Sequence, residues 1–319
     1  MSDREELHGG INGSRFPSPS VDVVPSGSLR LDIALRLGGI PRGRICEFYG
    51  PISSGKTTIC QHIIAEAQSL GEICAFIDAD HTLDVRYAER CGVDLDRLIV
   101  SEPMDAEQAL QIVQTITRSG AASIVVVDSI STLIPEAEMA AELTRSGDTS
   151  VNLLLSRTLQ KLAPVIQRTK STLLFTNRTY PKRVIYHKLK ENPARLALKM
   201  HAAVLLKLTP MAPIQIRNKI CGQTVRVQIV KNSLAPCFVG TELDIMYNEG
   251  VSKTGEIFDL GKELAIIEQK GSSYSYRALQ LGSGRETAIK FLEQDATLAR
   301  EIEQVIRQRL IPPFLNPST

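Results

Sequence analysis

The chain has 319 residues with a formal net charge of +2 and 43% apolar side chains, enough for one large core and a smaller appended unit. Near-neutral charge and the absence of tryptophan exclude a globally basic nucleic-acid protein and a surface of stacking rings, so any basic site has to be a local cluster. Cys46, Cys60, Cys74, Cys91, Cys221 and Cys237 form no C-x-x-C pair and mostly sit in apolar runs. That fits a reducing compartment, and with no signal-like apolar stretch at the start the expectation is a cytoplasmic protein without a membrane partner.

Residues 1–20 are rich in Gly, Ser, Pro and charge and read as a flexible N-terminal arm. From Val21 short β-rich runs alternate with helix-period segments: Ile45–Tyr49, a helix at 56–70, Ile73–Ile77, a helix at 105–119 and Ser123–Asp128. That alternation predicts an α/β core with a mostly parallel sheet covered by helices on both faces. A long helix at about 150–169, a buried strand at 172–176, a cationic loop at 178–199 and neighbouring strands at 203–208 and 224–230 complete a core ending near residue 252. From residue 253 the texture changes to a small α+β C-terminal domain, followed by a proline-rich tail that cannot continue a helix.

The run Gly50, Pro51, Ile52, Ser53, Ser54, Gly55, Lys56, Thr57 has the spacing G-x4-G-K-T between a predicted strand and a predicted helix. In that setting the backbone N–H groups and the helix N-terminus face phosphates, Lys56 adds a full positive charge, Thr57 offers its hydroxyl to Mg2+, and Thr58 supports the α-phosphate side. Asp128 follows the run Ile124–Val127 at the carboxyl end of a predicted buried strand, where it can hold Mg2+ through water. Alone such an Asp is a turn former; beside the loop it points to ATP and Mg2+. Asp78, Asp80 and Asp84 follow a further strand, which is expected to neighbour the one that feeds the loop, and one of them can polarise the attacking water. Otherwise they form a solvated acidic turn. His81 lacks a companion at metal-ligand spacing and receives no role. Arg178, Lys182, Arg183, Lys188, Lys190, Arg195 and Lys199 face the single acid Glu191, a bias that is either a solvated face or a neutraliser of nucleic-acid phosphates. Arg226 is added to these candidates for DNA contact.

Together these residues, with Ser26–Leu35, Gly38–Ile45, Phe76–Asp84, Val125–Ser129, Val230–Asn232 and Tyr274–Tyr276 in that order, make the chain resemble the bacterial RecA recombinase family from about Val21 to Leu310. The resemblance implies an ATPase active between adjacent subunits of a helical filament on single-stranded DNA. It also implies Asp84 and Tyr87 at the adenine, Lys231 reaching a neighbour's ATP, and DNA loops at about 141–150 and 178–198. By the same likeness Asp80, Lys56 and Lys231 are the catalytic candidates, and residues 50–58 with Asp84, Tyr87 and Arg178 the ATP-binding set.

The departures matter as much. Asp80 stands where the family has glutamate, which predicts slow hydrolysis; Arg178 stands where it has glutamine, and Ala194-Arg-Leu196 where it has paired glycines. Asp148, Leu153, Gln160 and Ser233 also depart, the arm has little room for the family's bridging helix, and the acidic tail is missing. Three readings follow: a recombinase on single-stranded DNA, a diverged paralogue that modulates another recombinase's filament, and a nucleotide-gated interaction protein without a DNA role.

Overall fold

The computed structural model describes residues 21–139, 148–179, 193–216, 218–236 and 240–311. A two-residue ladder, β1 (Val23–Val24) against β2 (Ile40–Pro41), brackets the short helix α1 (Leu29–Leu35). The chain then alternates through β3 (Ile45–Gly50), α2 (Lys56–Ser69), β4 (Cys74–Asp78), α3 (Val85–Arg90), β5 (Leu98–Ser101), α4 (Ala106–Ser119) and β6 (Ile124–Asp128). After α5 (Glu136–Met139) come α6 (Asp148–Thr169), β7 (Thr172–Arg178), α7 (Pro193–His201), the hairpin β8 (Val204–Ile216) and β9 (Lys219–Asn232), then β10 (Gly240–Met246) and β11 (Gly250–Val251).

These strands build a nine-stranded sheet in the order β11-β10-β9-β8-β3-β7-β6-β4-β5. From β8 to β5 neighbours run parallel, and from β8 to β11 they run antiparallel. The parallel part explains the apolar runs, because a strand covered on both faces has no polar side. Successive residues go to opposite layers: Phe48 and Val126 pack with Ile59, Ile63 and Ile64 of α2, whereas Tyr49, Val125 and Val127 pack with helices α4 and α6. Cys46, Cys60, Cys74 and Cys91 are buried as small apolar side chains, and burial pushes each thiol up, with Cys46 and Cys74 reaching about 12 and Cys91 about 11.

The smaller C-terminal domain follows, with α8 (Lys253–Glu263), a three-stranded antiparallel sheet of β12 (Glu268–Lys270), β13 (Ser273–Tyr276) and β14 (Leu279–Ser283), then α9 (Arg285–Gln294) and α10 (Ala296–Leu310). Its core centres on Phe258, whose ring meets Tyr274 edge-on at 4.9 Å, with Leu292 and Ile302, and Leu29 of α1 joins it.

The structure corrects two expectations. The strand that carries the acidic turn, β4, does not neighbour β3; β7 and β6 lie between them. The crossover order of a doubly wound sheet separates strands that are adjacent in sequence. The cationic segment is not a loop throughout either: Arg178 closes β7, and Pro193–His201 form α7. Proline suits the first helical position because it lacks the N–H that would be unpaired there, and Ala197 and Leu198 bury against the layer below. Among the described residues no helix is long and apolar enough to cross a membrane.

Candidate nucleotide site

The loop after β3 curls at the carboxyl edge of the sheet. A Cβ on Gly50 would strike the Leu208 carbonyl oxygen and lie 2.8 Å from Ser54 Oγ, so only glycine fits between β8 and the loop. Gly55, at φ 83°, caps the start of α2 from the left-handed region, and Ser53 within the turn is also left-handed at φ 58°. Gln223 of β9 donates to the Ser53 carbonyl at 2.7 Å and ties the turn to the hairpin. Ser54 is buried and Ile52 stands exposed at the tip.

Lys56 Nζ folds back onto the loop, donating to the Pro51 carbonyl at 2.8 Å, the Gly50 carbonyl at 3.2 Å and Ser54 Oγ at 3.3 Å. Burial lowers its pKa; Asp128 and Asp80 oppose that shift and Arg178 adds to it. The buried ammonium is therefore held by two loop carbonyls and a hydroxyl that an anion can replace.

Asp128 ends β6 beside it. Thr57 Oγ1 donates to Asp128 Oδ2 at 2.5 Å and the Thr176 hydroxyl donates to Oδ1. Burial raises the Asp128 pKa, the two hydroxyls oppose the shift, and Asp80 adds to it. A hydroxyl against a carboxylate at the mouth of a phosphate loop is a hard-oxygen pair of the kind Mg2+ takes, so the donor set fits the ion. No cluster of three or more His, Cys, Asp or Glu residues suited to a metal occurs among the described residues.

Of the three acids at and after the end of β4, only Asp80 turns to this edge. Asp78 is buried and accepts the Leu83 N–H at 2.8 Å, while Asp84 caps α3 through the Tyr87 N–H at 3.0 Å. Asp80 arrives by way of β6, for its own N–H and that of Ala79 donate to the Asp128 carbonyl at 3.1 and 2.8 Å. Its carboxylate accepts from Thr132 Oγ1 at 2.6 Å and Ser129 Oγ at 3.1 Å, and pairs with the Arg178 guanidinium. Arg178 sits on β7 in register with Gly50, one strand from the start of the loop.

Beneath the pair runs a buried polar chain. The Arg178 N–H donates to Ser131 Oγ at 2.7 Å, Ser131 Oγ donates to Asn177 Oδ1 at 3.0 Å, and Asn177 Nδ2 donates to Glu47 Oε1 at 2.8 Å. Sequence reasoning named none of Glu47, Ser131, Thr132, Thr176 or Asn177. The available signal was the presence of polar side chains inside otherwise apolar strands, in Ile45–Tyr49 and at the end of β7.

Tyr87 lies at the opposite side of the loop, its hydroxyl 3.3 Å from Thr58 Oγ1 and its pKa raised to about 12, chiefly by burial. The other predicted residues lie elsewhere. Lys231 Nζ donates to the Lys199 carbonyl at 3.1 Å at the end of α7, and the structure does not bring it to the loop. Arg226 pairs with Glu242 across β9 and β10 at 2.7 Å. Lys182, Arg183, Lys188 and Lys190, and the side chain of Arg195, lie outside the described residues, as do the arm and most of the loop expected at 141–150.

A parallel sheet with a phosphate loop, a strand-end aspartate beside the loop threonine, and a carboxylate set across from them define a phosphate-loop nucleotide-binding protein. The RecA N-terminal domain model matches residues 12–252 and the RecA C-terminal domain model residues 255–311. The chain is 47% identical over 293 residues to Protein RecA of Caldanaerobacter subterraneus, which covers 91% of this chain and 85% of that one. It is 46% identical over 300 residues to Protein RecA of Brucella anthropi, covering 93% and 82% respectively. This chain belongs to the RecA family.

Proposed function

We propose that the chain binds ATP with Mg2+ at residues 50–58 and uses it to control binding to single-stranded DNA in homologous recombination, repair and the response to DNA damage. The observation that carries this reading is the convergence of Lys56, Thr57, Asp128, Asp80 and Arg178 at one sheet edge in a chain of this family. Loop N–H groups and Lys56 bind the phosphates, and Thr57 and Asp128 would hold the metal, which neutralises charge on the phosphates. Asp80 is the base candidate, fixed through Oδ1 by Thr132 and Ser129, with its other oxygen paired to Arg178. Tyr87 and Asp84 would flank the base of the nucleotide. Lys199 and Arg226, with the cations of 182–195, are the proposed DNA contacts, and the family's mode of action supplies a filament of this chain, or of another recombinase, as the partner.

A second reading is favoured by one contact. Asp80 is tied to Arg178, so turnover is slow, and a subunit that stays ATP-bound would act as a modulator of a partner recombinase's filament. Hydrolysis measured with and without single-stranded DNA across a salt series separates the two. Stimulated turnover and salt-sensitive binding support the first, binding with negligible turnover supports the second, and no DNA binding at all leaves a nucleotide-gated interaction protein. Restoring the longer acid, Asp80→Glu, should raise turnover by on the order of a hundredfold if a displacement of about 1 Å limits it.

A further inference from the structure

A hydroxyl in the middle of the sheet has no local reason to be there. Thr176 of β7 is fully buried, in register with Phe48 of β3 on the face that α2 covers. The backbone groups of a central strand are committed to the ladder, so a buried hydroxyl there needs a partner from elsewhere. Valine would fill the same space without that need. The partner is Asp128, whose Oδ1 accepts the Thr176 hydroxyl while Oδ2 accepts Thr57 Oγ1 at 2.5 Å. Thr176 grips the same turn a second time, its carbonyl accepting the Ile130 N–H at 3.1 Å just beyond Asp128. The buried carboxylate is thus clamped from two elements, by α2 on one oxygen and by β7 on the other.

The clamp fixes how Asp128 can be used. Each of its oxygens already takes a hydroxyl proton, so the carboxylate is not free to turn both oxygens onto one cation. Its remaining lone pairs suit the hydrogens of water. Mg2+ gives up its waters reluctantly and is served by such an acceptor, whereas Ca2+ takes more oxygen ligands and readily binds a carboxylate through both oxygens. From this we infer that Thr176 is a positioning residue: it restrains Asp128 as an acceptor for the water around the cation and so makes the nucleotide site prefer Mg2+ to Ca2+. The inference rests on the nucleotide reading above and adds to it a determinant of cation choice that is itself shielded from solvent.

The test is calorimetry of ADP binding in excess Mg2+, in excess Ca2+ and in EDTA. The wild type is compared with Thr176→Val and Thr176→Ser, each checked for folding by its thermal midpoint. The wild type should bind ADP more tightly with Mg2+ than with Ca2+. Thr176→Val keeps the shape but frees Oδ1 to turn to the cation. It should cut the preference for Mg2+ by roughly tenfold, the worth of a hydrogen bond to a charged group, and leave the affinity in EDTA unchanged. Thr176→Ser keeps the hydroxyl and should retain the preference. A hydroxyl with a purely structural role would change affinity by the same factor in all three conditions or in none, and either result overturns the proposal. So does Thr176→Ser losing the preference as Thr176→Val does, because the missing methyl group would then be the cause. If Thr176→Val does not fold, Thr176→Ala makes the same comparison. A wild type that binds ADP equally well with either cation refutes the inference but not the nucleotide site; one that binds no ADP refutes both.

Discussion

Two groups of buried carboxylates lie at different edges of the core and have opposite characters. At the nucleotide edge Asp128 accepts from two hydroxyls, and Asp80 from two hydroxyls and the partly exposed Arg178. At the seam between α1 and the C-terminal domain, Asp32 and Glu256 are closed in. Asp32 accepts the Ser26 N–H at 2.9 Å and pairs with Arg307 at 2.9 Å, while Glu256 accepts from Ser28 Oγ at 2.8 Å and the Arg30 N–H at 3.1 Å. Burial raises Asp32 to about 6 and Glu256 to about 7. The seam therefore joins residues more than two hundred positions apart, whereas the nucleotide edge gathers its carboxylates around the phosphate loop. Burial alone does not mark a functional carboxylate; its place beside the phosphate loop does.

The largest expected effect breaks the comparison at the nucleotide edge. Lys56→Ala should weaken Mg·ATP binding by about a hundredfold or more, because a desolvated phosphate contact is lost, and should leave the thermal midpoint of the free protein unchanged or higher. Calorimetry and thermal unfolding together check this; a protein that loses stability and keeps its affinity would show that Lys56 is structural. At the seam the expectation reverses. Asp32→Ala leaves the buried Ser26 N–H without its acceptor and Arg307 with Glu303 alone, and should cost about 3 kcal/mol in denaturant unfolding, with nucleotide affinity unaltered.

The pH response sharpens the same contrast and is smaller. An acid whose folded pKa lies above its unfolded value binds more protons when folded, so stability falls as pH rises between the two values. For Asp32 that window runs from the ordinary value of 3.8 to about 6, and for Glu256 from 4.5 to about 7. Stability should therefore drop by on the order of 1–3 kcal/mol between pH 5 and 8. Asp32→Asn should flatten that slope, which urea unfolding at several pH values would detect; an unchanged slope would place the titration elsewhere.

The sequence carried the nucleotide loop and the alternation of strands because both are local. G-x4-G-K-T spans eight positions, and an apolar run such as Ile124–Val127 reads as a buried strand wherever it pairs. The placement of Asp80 was harder to read: the residue itself stood out, but its route to the site depends on β4 lying beside β6 and not β3, a crossover that periodicity does not encode. The ion pair with Arg178 joins positions 98 apart, and the Glu47 to Ser131 chain likewise exists only after the strands assemble. Helix α7 was hidden because its cations suggested a loop, although Pro193 and the pair Ala197 and Leu198 were its local signals.

The smallest effect tests whether the two regions are linked. The hairpin partner β10 touches both: Asp244 accepts from Thr224 at 2.9 Å, and its carbonyl takes the Ser252 N–H at 3.0 Å just before α8. One residue before Thr224, Gln223 holds the Ser53 carbonyl of the phosphate loop at a residue whose left-handed φ of 58° is unfavourable without support. Gln223→Ala removes that hydrogen bond at a partly exposed position, so global stability should change little. The loop would sample other conformations before binding, and Mg·ATP affinity should fall about twofold to tenfold, as expected for one neutral hydrogen bond. Because the loss lies in preorganisation, ADP and the triphosphate should weaken by the same factor. An affinity loss confined to the triphosphate would mean that β9 acts on the terminal phosphate and not on the shape of the loop.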